Sequence, residues 1–164
     1  MKTLYLFRHA KSSWDNPDLD DTQRPLNHRG EKDAPKMGKR MRKAGVKPQC
    51  IYSSPAVRAR ETARLAAEEL GVPSGDIRQD PKLYHPGPES LLDFLRSLPD
   101  AQDTVMLVGH NPGLTEFAND LLDESFDNIP TAGVVGARLN ISFWKDARWG
   151  CGTLFLYEFP KKKE

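Results

Sequence analysis

The sequence predicts an α/β fold, a three-layer α/β/α arrangement around a mostly parallel central sheet, with residues 1–164 forming a single domain. Three observations lead there. Short apolar runs at 4–7, 50–53 and 104–108 read as strands covered on both faces, as in a parallel sheet. Stretches with helical spacing or capping signals separate them. The 164 residues are enough for a core without disulfide staples.

Taken in order, the run Leu4-Tyr5-Leu6-Phe7 is the first strand, and the Asp-rich stretch 15–24 is a surface loop. Asn27 caps a helix that runs to about Ala44 and stops at Gly45. Residues 50–53 form a second strand. Ser54 and Pro55 open the next helix as N-cap and first-turn residue, and it ends at Gly71-Val72-Pro73. Its expected apolar positions are Val57, Leu65, Ala66 and Leu70. Around Ile77 an edge strand is expected, and His85-Pro86-Gly87-Pro88 breaks both periods. Leu91, Leu92, Leu95 and Leu98 give a short amphipathic helix over 89–98. The clearest strand, 104–108, leads through Asn111-Pro112 into a helix ending at Leu122, followed by a loop over 123–130. Segments 137–143 and 153–159 read as late strands, paired across 145–152. Because helices no longer alternate with these late strands, the sheet is expected to be mixed at that end and parallel at its centre.

Composition narrows the class of function. The 24 basic and 23 acidic residues leave a net charge of +1, so no global field favours a nucleic acid or a membrane as partner. The run Lys161-Lys162-Lys163 reads as a solvated end. Cys50 and Cys151 form no CxxC pair and suit a reducing compartment as small core residues. The first apolar run stops at Arg8, too short for a signal peptide, and no window is long enough to cross a bilayer. A cytoplasmic location is the expectation.

Chemistry concentrates where strands end. Arg8-His9-Ala10, Ser54-Pro55-Ala56-Val57-Arg58 and Gly109-His110-Asn111-Pro112 each follow a strand, and ligands of open α/β sheets bind beyond those C-terminal ends. His9 is the candidate nucleophile, since a neutral imidazole accepts a phosphoryl group and releases it to water. A lone histidine after a strand also serves as a core residue with a satisfied hydrogen bond; its neighbours favour the chemical role. Arg8 offers a planar fork of donors that matches phosphate oxygens. Arg58 lies in the first helical turn, where the helix N-terminus adds positive potential. Thr62 shares its face and is placed to brace it, whereas Arg60 points to solvent. His110 brings a second imidazole. Phosphoryl transfer needs positioning and charge stabilisation, which such a set supplies without a metal or any other cofactor. His9, His28, His85 and His110 show no metal-ligand spacing, and neither GxxxxGK[ST] nor GxGxxG occurs.

Arg8-His9-Ala10, Ser54-Pro55-x-x-Arg58-Ala59-x-x-Thr62-Ala63 and Gly109-His110, in this order, resemble the histidine phosphatase superfamily with its phosphoglycerate-mutase-like fold. Arg24-Pro25-Leu26 with Gly30 resembles the family's weaker second signature. The resemblance implies a phosphohistidine intermediate on His9, with Arg8, Arg58 and His110 as the phosphate pocket. Compact length and the Leu83-Tyr84 element are most similar to the SixA-type branch, whose type member acts on phosphohistidine in proteins.

The chain departs from the family pattern at several points. Ala10 stands where Gly is usual, and Asp15 where Asn is usual in the broader run. The acids that relatives place after the Leu83 region or after the second histidine are replaced by Tyr84-His85 and Asn111. An alkoxide leaving group wants a positioned acid, worth about 10²–10⁴-fold, whereas a departing imidazole is expelled more easily. A missing acid therefore favours phosphohistidine as substrate. Glu89, Asp15 and His85 remain as candidate proton donors, each read first as a solvated or capping residue and only second as an acid. The expected activity is a metal-independent phosphatase acting on a phosphorylated protein or a small phosphorylated molecule. The alternatives are a phosphatase or mutase for a small phosphate ester, or a module that binds phosphorylated partners with weak turnover. Trp14, Trp144 and Trp149 read as packing residues before recognition residues, and Thr131 is a candidate at the pocket rim.

Overall fold

The computed structural model describes residues 1–163. Its strands are β1 (Lys2–Arg8), β2 (Cys50–Ser53), β3 (Ile77–Gln79), β4 (Thr104–Gly109), β5 (Val134–Leu139) and β6 (Gly152–Glu158). The helices are α1 (His28–Lys43), α2 (Val57–Leu70), α3 (Pro88–Arg96) and α4 (Gly113–Leu122). One six-stranded sheet runs in the order β3-β2-β4-β1-β5-β6. The ladders β3–β2, β2–β4 and β4–β1 are parallel, while β1–β5 and β5–β6 are antiparallel. The sheet is therefore mixed rather than mostly parallel. The β5–β6 ladder has a local reason, a connection with only a short 3₁₀ turn that returns the chain antiparallel, whereas β5 itself runs antiparallel to β1 although α4 precedes it.

Side chains alternate across the sheet and sort into two cores. Leu4 and Leu6 of β1, with Val105 and Leu107 of β4, face the layer of α3 and α4. Tyr5 and Phe7, with Met106 and Val108, face α1 and α2. The α1–α2 side is built from small residues: α2 buries Ala59, Ala63, Ala66 and Ala67 beside Arg58 and Thr62. The expected positions Val57, Leu65 and Leu70 are only half-buried. Small side chains let α2 lie close to α1.

Several boundaries differ from the sequence expectation, among them the start of α2 and both ends of β5, which stops at Leu139 rather than at 143. Helix α2 begins at Val57 with Ala56 as its cap residue, two positions after the Ser-Pro pair. Ser54 still acts at this corner, its hydroxyl accepting from the Ala56 N–H at 3.2 Å. Strand β5 starts at Val134, three residues early, because those residues pair with Phe7 and Leu6 of β1.

The parallel register explains how the site assembles. Arg8 pairs with Gly109, so the next residues, His9 and His110, leave the sheet side by side. Ser53 pairs with Val108, which brings Ser54 and the start of α2 to the same edge.

Candidate active site

At that edge a cavity of about 500 Å³ opens, with Arg8, His9, Asp21, Arg24, Arg58, His85, Lys11, Trp14, Asn111 and Thr131 in its lining. His9 is held firmly. Its backbone N–H donates to the Gly109 carbonyl and its own carbonyl accepts from the Ala132 N–H, both at 3.1 Å. The next amide, Ala10 N–H, donates to Thr62 Oγ1 at 2.9 Å, and that hydroxyl donates to the Arg58 carbonyl at 2.7 Å. Thr62 thus ties the segment carrying His9 to the helix carrying Arg58.

The His9 ring has a defined tautomer. Nδ1 lies 2.7 Å from the Ala10 carbonyl, which can only accept, so Nδ1 carries the proton and Nε2 keeps its lone pair. Burial lowers the His9 pKa from 6.5 to about 4; the Ala10 hydrogen bond works the other way, and the charges of Arg58, Arg8 and Arg24 add to the fall. The ring is neutral at pH 7. His110 stands behind the cavity with its ring centre 5.2 Å from that of His9. Its Nε2 lies 2.8 Å from Ser54 Oγ, and its Nδ1 lies 3.5 Å from Arg58 Nη2. Burial, followed by the charges of His9 and Arg58, pushes its pKa far down.

The guanidinium groups are poised differently. Arg8 donates through Nη1 to the Ile129 carbonyl at 2.9 Å, and its buried Nε has no hydrogen-bond partner among the described residues. Burial lowers its pKa as well. Arg58 is almost wholly buried; its Nη1 donates to the Asp21 carbonyl at 2.6 Å and its Nη2 to Asp21 Oδ2 at 2.8 Å. Its Nε is likewise buried without a partner. Arg8, Arg24 and Arg58 put three guanidinium groups in one cavity lining, a concentration of positive charge that suits an oxyanion.

Asp21 and Arg24 complete the wall. Arg24 Nη1 donates to Ser12 Oγ at 2.7 Å, its Nε to Asp21 Oδ1 at 3.3 Å, and its guanidinium lies 3.5 Å from the centre of the exposed Trp14 ring. Asp21 Oδ2 also accepts from the Tyr84 hydroxyl at 2.6 Å. Burial acts to raise the Asp21 pKa, but the hydrogen bonds from Tyr84 and Arg58, the Arg58 charge and the bond from Arg24 hold its carboxyl well below the usual carboxylate range.

The structure brings Arg8, His9, Arg58 and His110 together and leaves the two expected acids outside the cavity wall. Asp15 is exposed, its backbone N–H donating to Ser13 Oγ, and Glu89 is exposed in the first turn of α3. Trp144 is a core residue whose Nε1 donates to the Gln102 carbonyl, and Trp149 packs edge-on to Phe117.

A family model, the histidine phosphatase superfamily (branch 1), matches residues 4–84. A protein of Picosynechococcus with no described function is 33% identical over 141 residues, 82% of this chain and 84% of that one. The chain belongs to the histidine phosphatase superfamily. A chloroplastic protein of Arabidopsis thaliana, also without a described function, is 37% identical over 129 residues, 73% of this chain, which spans 59% of that relative's length. Among solved structures, the SixA protein of Agrobacterium tumefaciens superimposes with a TM-score of 0.79 at 26% identity, covering 97% of this chain and 98% of that one. A protein histidine phosphatase SixA bound to tungstate gives a TM-score of 0.81 at 20% identity, covering 96% and 97%. This histidine phosphatase thus has the SixA-type architecture.

Two of its wall residues escaped the reading of the sequence. Asp21 lay in a stretch read simply as an Asp-rich surface loop. Arg24 was visible in the second signature, yet nothing in the sequence said that its guanidinium turns into the cavity.

Proposed function

We propose that this histidine phosphatase removes phosphoryl groups from phosphohistidine side chains of proteins, without a metal, through a covalent intermediate on His9. One observation carries this reading: a neutral imidazole with a free Nε2 lone pair stands in one cavity lining with the guanidinium groups of Arg8 and Arg58. In the first step Nε2 forms a bond to phosphorus, and the bond to the departing imidazole breaks with its electron pair leaving on nitrogen. Arg8 and Arg58 offset the charge on the equatorial oxygens. An arriving dianion also relieves the penalty on protonating His110, turning that ring into a further donor. Water then attacks phosphorus and gives up a proton to solvent, phosphate departs, and the pair of the P–N bond returns to Nε2.

The form of the site supports a macromolecular substrate. Trp14 is 74% exposed at the rim, and Lys11 and His85 are exposed with it. A phosphorylated side chain on a protein surface needs such an approach. The likeness to the SixA protein of Agrobacterium tumefaciens supports the same substrate class. The free, buried Cys50 and Cys151 support a reducing, cytoplasmic setting. Among the described residues no helix is long and apolar enough to cross a membrane.

The test is a comparison of initial rates, in the presence of EDTA, on a phosphohistidine protein, a phosphoserine peptide and a small sugar phosphate. The phosphohistidine protein should react fastest, and His9→Ala should lose about 10³-fold or more. A faster sugar phosphate would reassign the substrate to small esters. Undiminished turnover by His9→Ala would remove the covalent mechanism.

A further inference from the structure

We propose that His85, paired with Asp21, is the proton donor to the leaving group. This rests on the reading of His9 as nucleophile and adds the acid that the sequence lacks at its usual places.

Elimination and geometry agree on His85. Besides the cations, the titratable groups in the cavity wall are His9, Asp21 and His85. His9 is committed as nucleophile. Asp21 is held ionised by Tyr84 and Arg58, so it has no proton to give near neutral pH. Asn111 carries no titratable proton, and its amide is engaged by Asn128, Ile129 and Thr115.

The His85 ring sits between a donor and an acceptor. Its Nε2 is 3.4 Å from Arg58 Nη2 and 3.6 Å from Asp21 Oδ2. Neutral, it accepts from Arg58; protonated, it faces the Asp21 carboxylate. Both charge states therefore find a partner with little movement of the ring. The ring also packs on that of His110, 4.4 Å between centres, and meets the Tyr84 ring edge-on at 4.7 Å.

The backbone adds a third observation. His85 has φ +48°, an uncommon conformation for a residue with a side chain, and such strain clusters at functional sites. The turn is pinned from behind, because a methyl group at Gly113 would overlap the Pro86 carbonyl oxygen.

As His9 Nε2 bonds to phosphorus, the bond from phosphorus to the leaving atom breaks and its electron pair stays on that atom. The leaving atom takes the proton of the His85 imidazolium. In the second step neutral His85 takes a proton from the attacking water and the imidazolium is restored. The ability to expel poor leaving groups follows, so alkyl phosphate monoesters enter the substrate range beside phosphohistidine.

The experiment measures kcat/KM for phosphate monoesters from 2,4-dinitrophenyl through phenyl to alkyl, in wild type, His85→Asn and His85→Gly. Both replacements tolerate positive φ and keep the turn. His85→Asn should lose about 10²–10⁴-fold on alkyl phosphate and markedly less on dinitrophenyl phosphate, steepening the dependence on leaving-group pKa. Added imidazole should restore His85→Gly on the alkyl substrate alone. A loss of equal size along the whole series, or no loss, overturns the donor role while leaving the nucleophile intact. A wild type inert toward every ester of the series but active on a phosphohistidine protein overturns the donor role alone; a wild type inert toward both, or a His9→Ala variant as active as wild type, overturns the underlying reading together with this one.

Discussion

Thr62 has no proton chemistry of its own, yet two parts of the site meet through its hydroxyl. Oγ1 accepts the Ala10 N–H and donates to the Arg58 carbonyl. Valine has nearly the same shape but no hydroxyl, so Thr62→Val leaves the buried Ala10 N–H without a partner. We expect that to cost about 1–3 kcal/mol of unfolding free energy, read from urea denaturation, with a fall in kcat as the His9 segment loosens. Equal stability for the variant would show that this bond holds nothing. Residues of this kind were partly legible. One helical turn from Arg58, Thr62 was visible as a brace, whereas its bond to Ala10 depends on β1 and α2 meeting at the sheet edge. Asp21 was hidden for a different reason: in an Asp-rich loop, no local feature separates the carboxylate that turns inward from those that face water.

At the scale of elements, the capping chemistry of α1 was readable almost to the residue, and its packing was not. Asn27 caps the helix through its side chain, accepting the Gly30 N–H at 2.8 Å, and its backbone N–H donates to the Lys11 carbonyl at 2.9 Å. Gly30 lies so near the strand exit that a methyl group there would overlap the Lys11 carbonyl oxygen. Gly30→Ala should therefore push on the segment just after His9. The expected cost is about 1–3 kcal/mol, seen as a lower melting temperature. Gly75→Ala, where nothing lies within 4 Å, is the control and should stay near the wild-type value. The start of α2 was misjudged because Ser-Pro is a strong signal for a helix opening. Here Ser54 instead completes the strand's end: its N–H donates to the Val108 carbonyl, and its hydroxyl meets both Ala56 and His110. Tertiary partners decided between two uses of one motif.

For the whole molecule, burying two histidines in neutral form links folding to pH. His9 has a pKa of about 4 in the folded chain against 6.5 unfolded, and that of His110 is lowered further. Between those limits the unfolded chain binds more protons than the native one, so stability is full above pH 6.5 and is lost as pH falls towards 4. Each histidine contributes a slope of about 1.4 kcal/mol per pH unit in that window. Denaturant midpoints measured from pH 7 to 4 should fall accordingly, and His9→Asn should flatten the curve. A flat wild-type curve would mean that these rings are solvated. The gathering of Arg8, Arg58 and the two histidines at one edge was legible because strand ends and parallel register depend on short-range patterns. The reversal of β5 was less so: α4 precedes it as a helix precedes a parallel strand, yet β5 pairs antiparallel with β1.

That reversal brings the chain just before β5 to the site, where the Ala132 amide bonds to the carbonyl of His9 while the Gly109 carbonyl takes its N–H. The peptide bearing His9, the proposed nucleophile, is thus flanked on both sides like an interior rung of the sheet, although its ring borders an open cavity. Little rearrangement is left for the moment of encounter. For the reaction proposed above, the binding energy of an incoming phosphoryl group then remains available for distorting that group rather than for assembling the site around it.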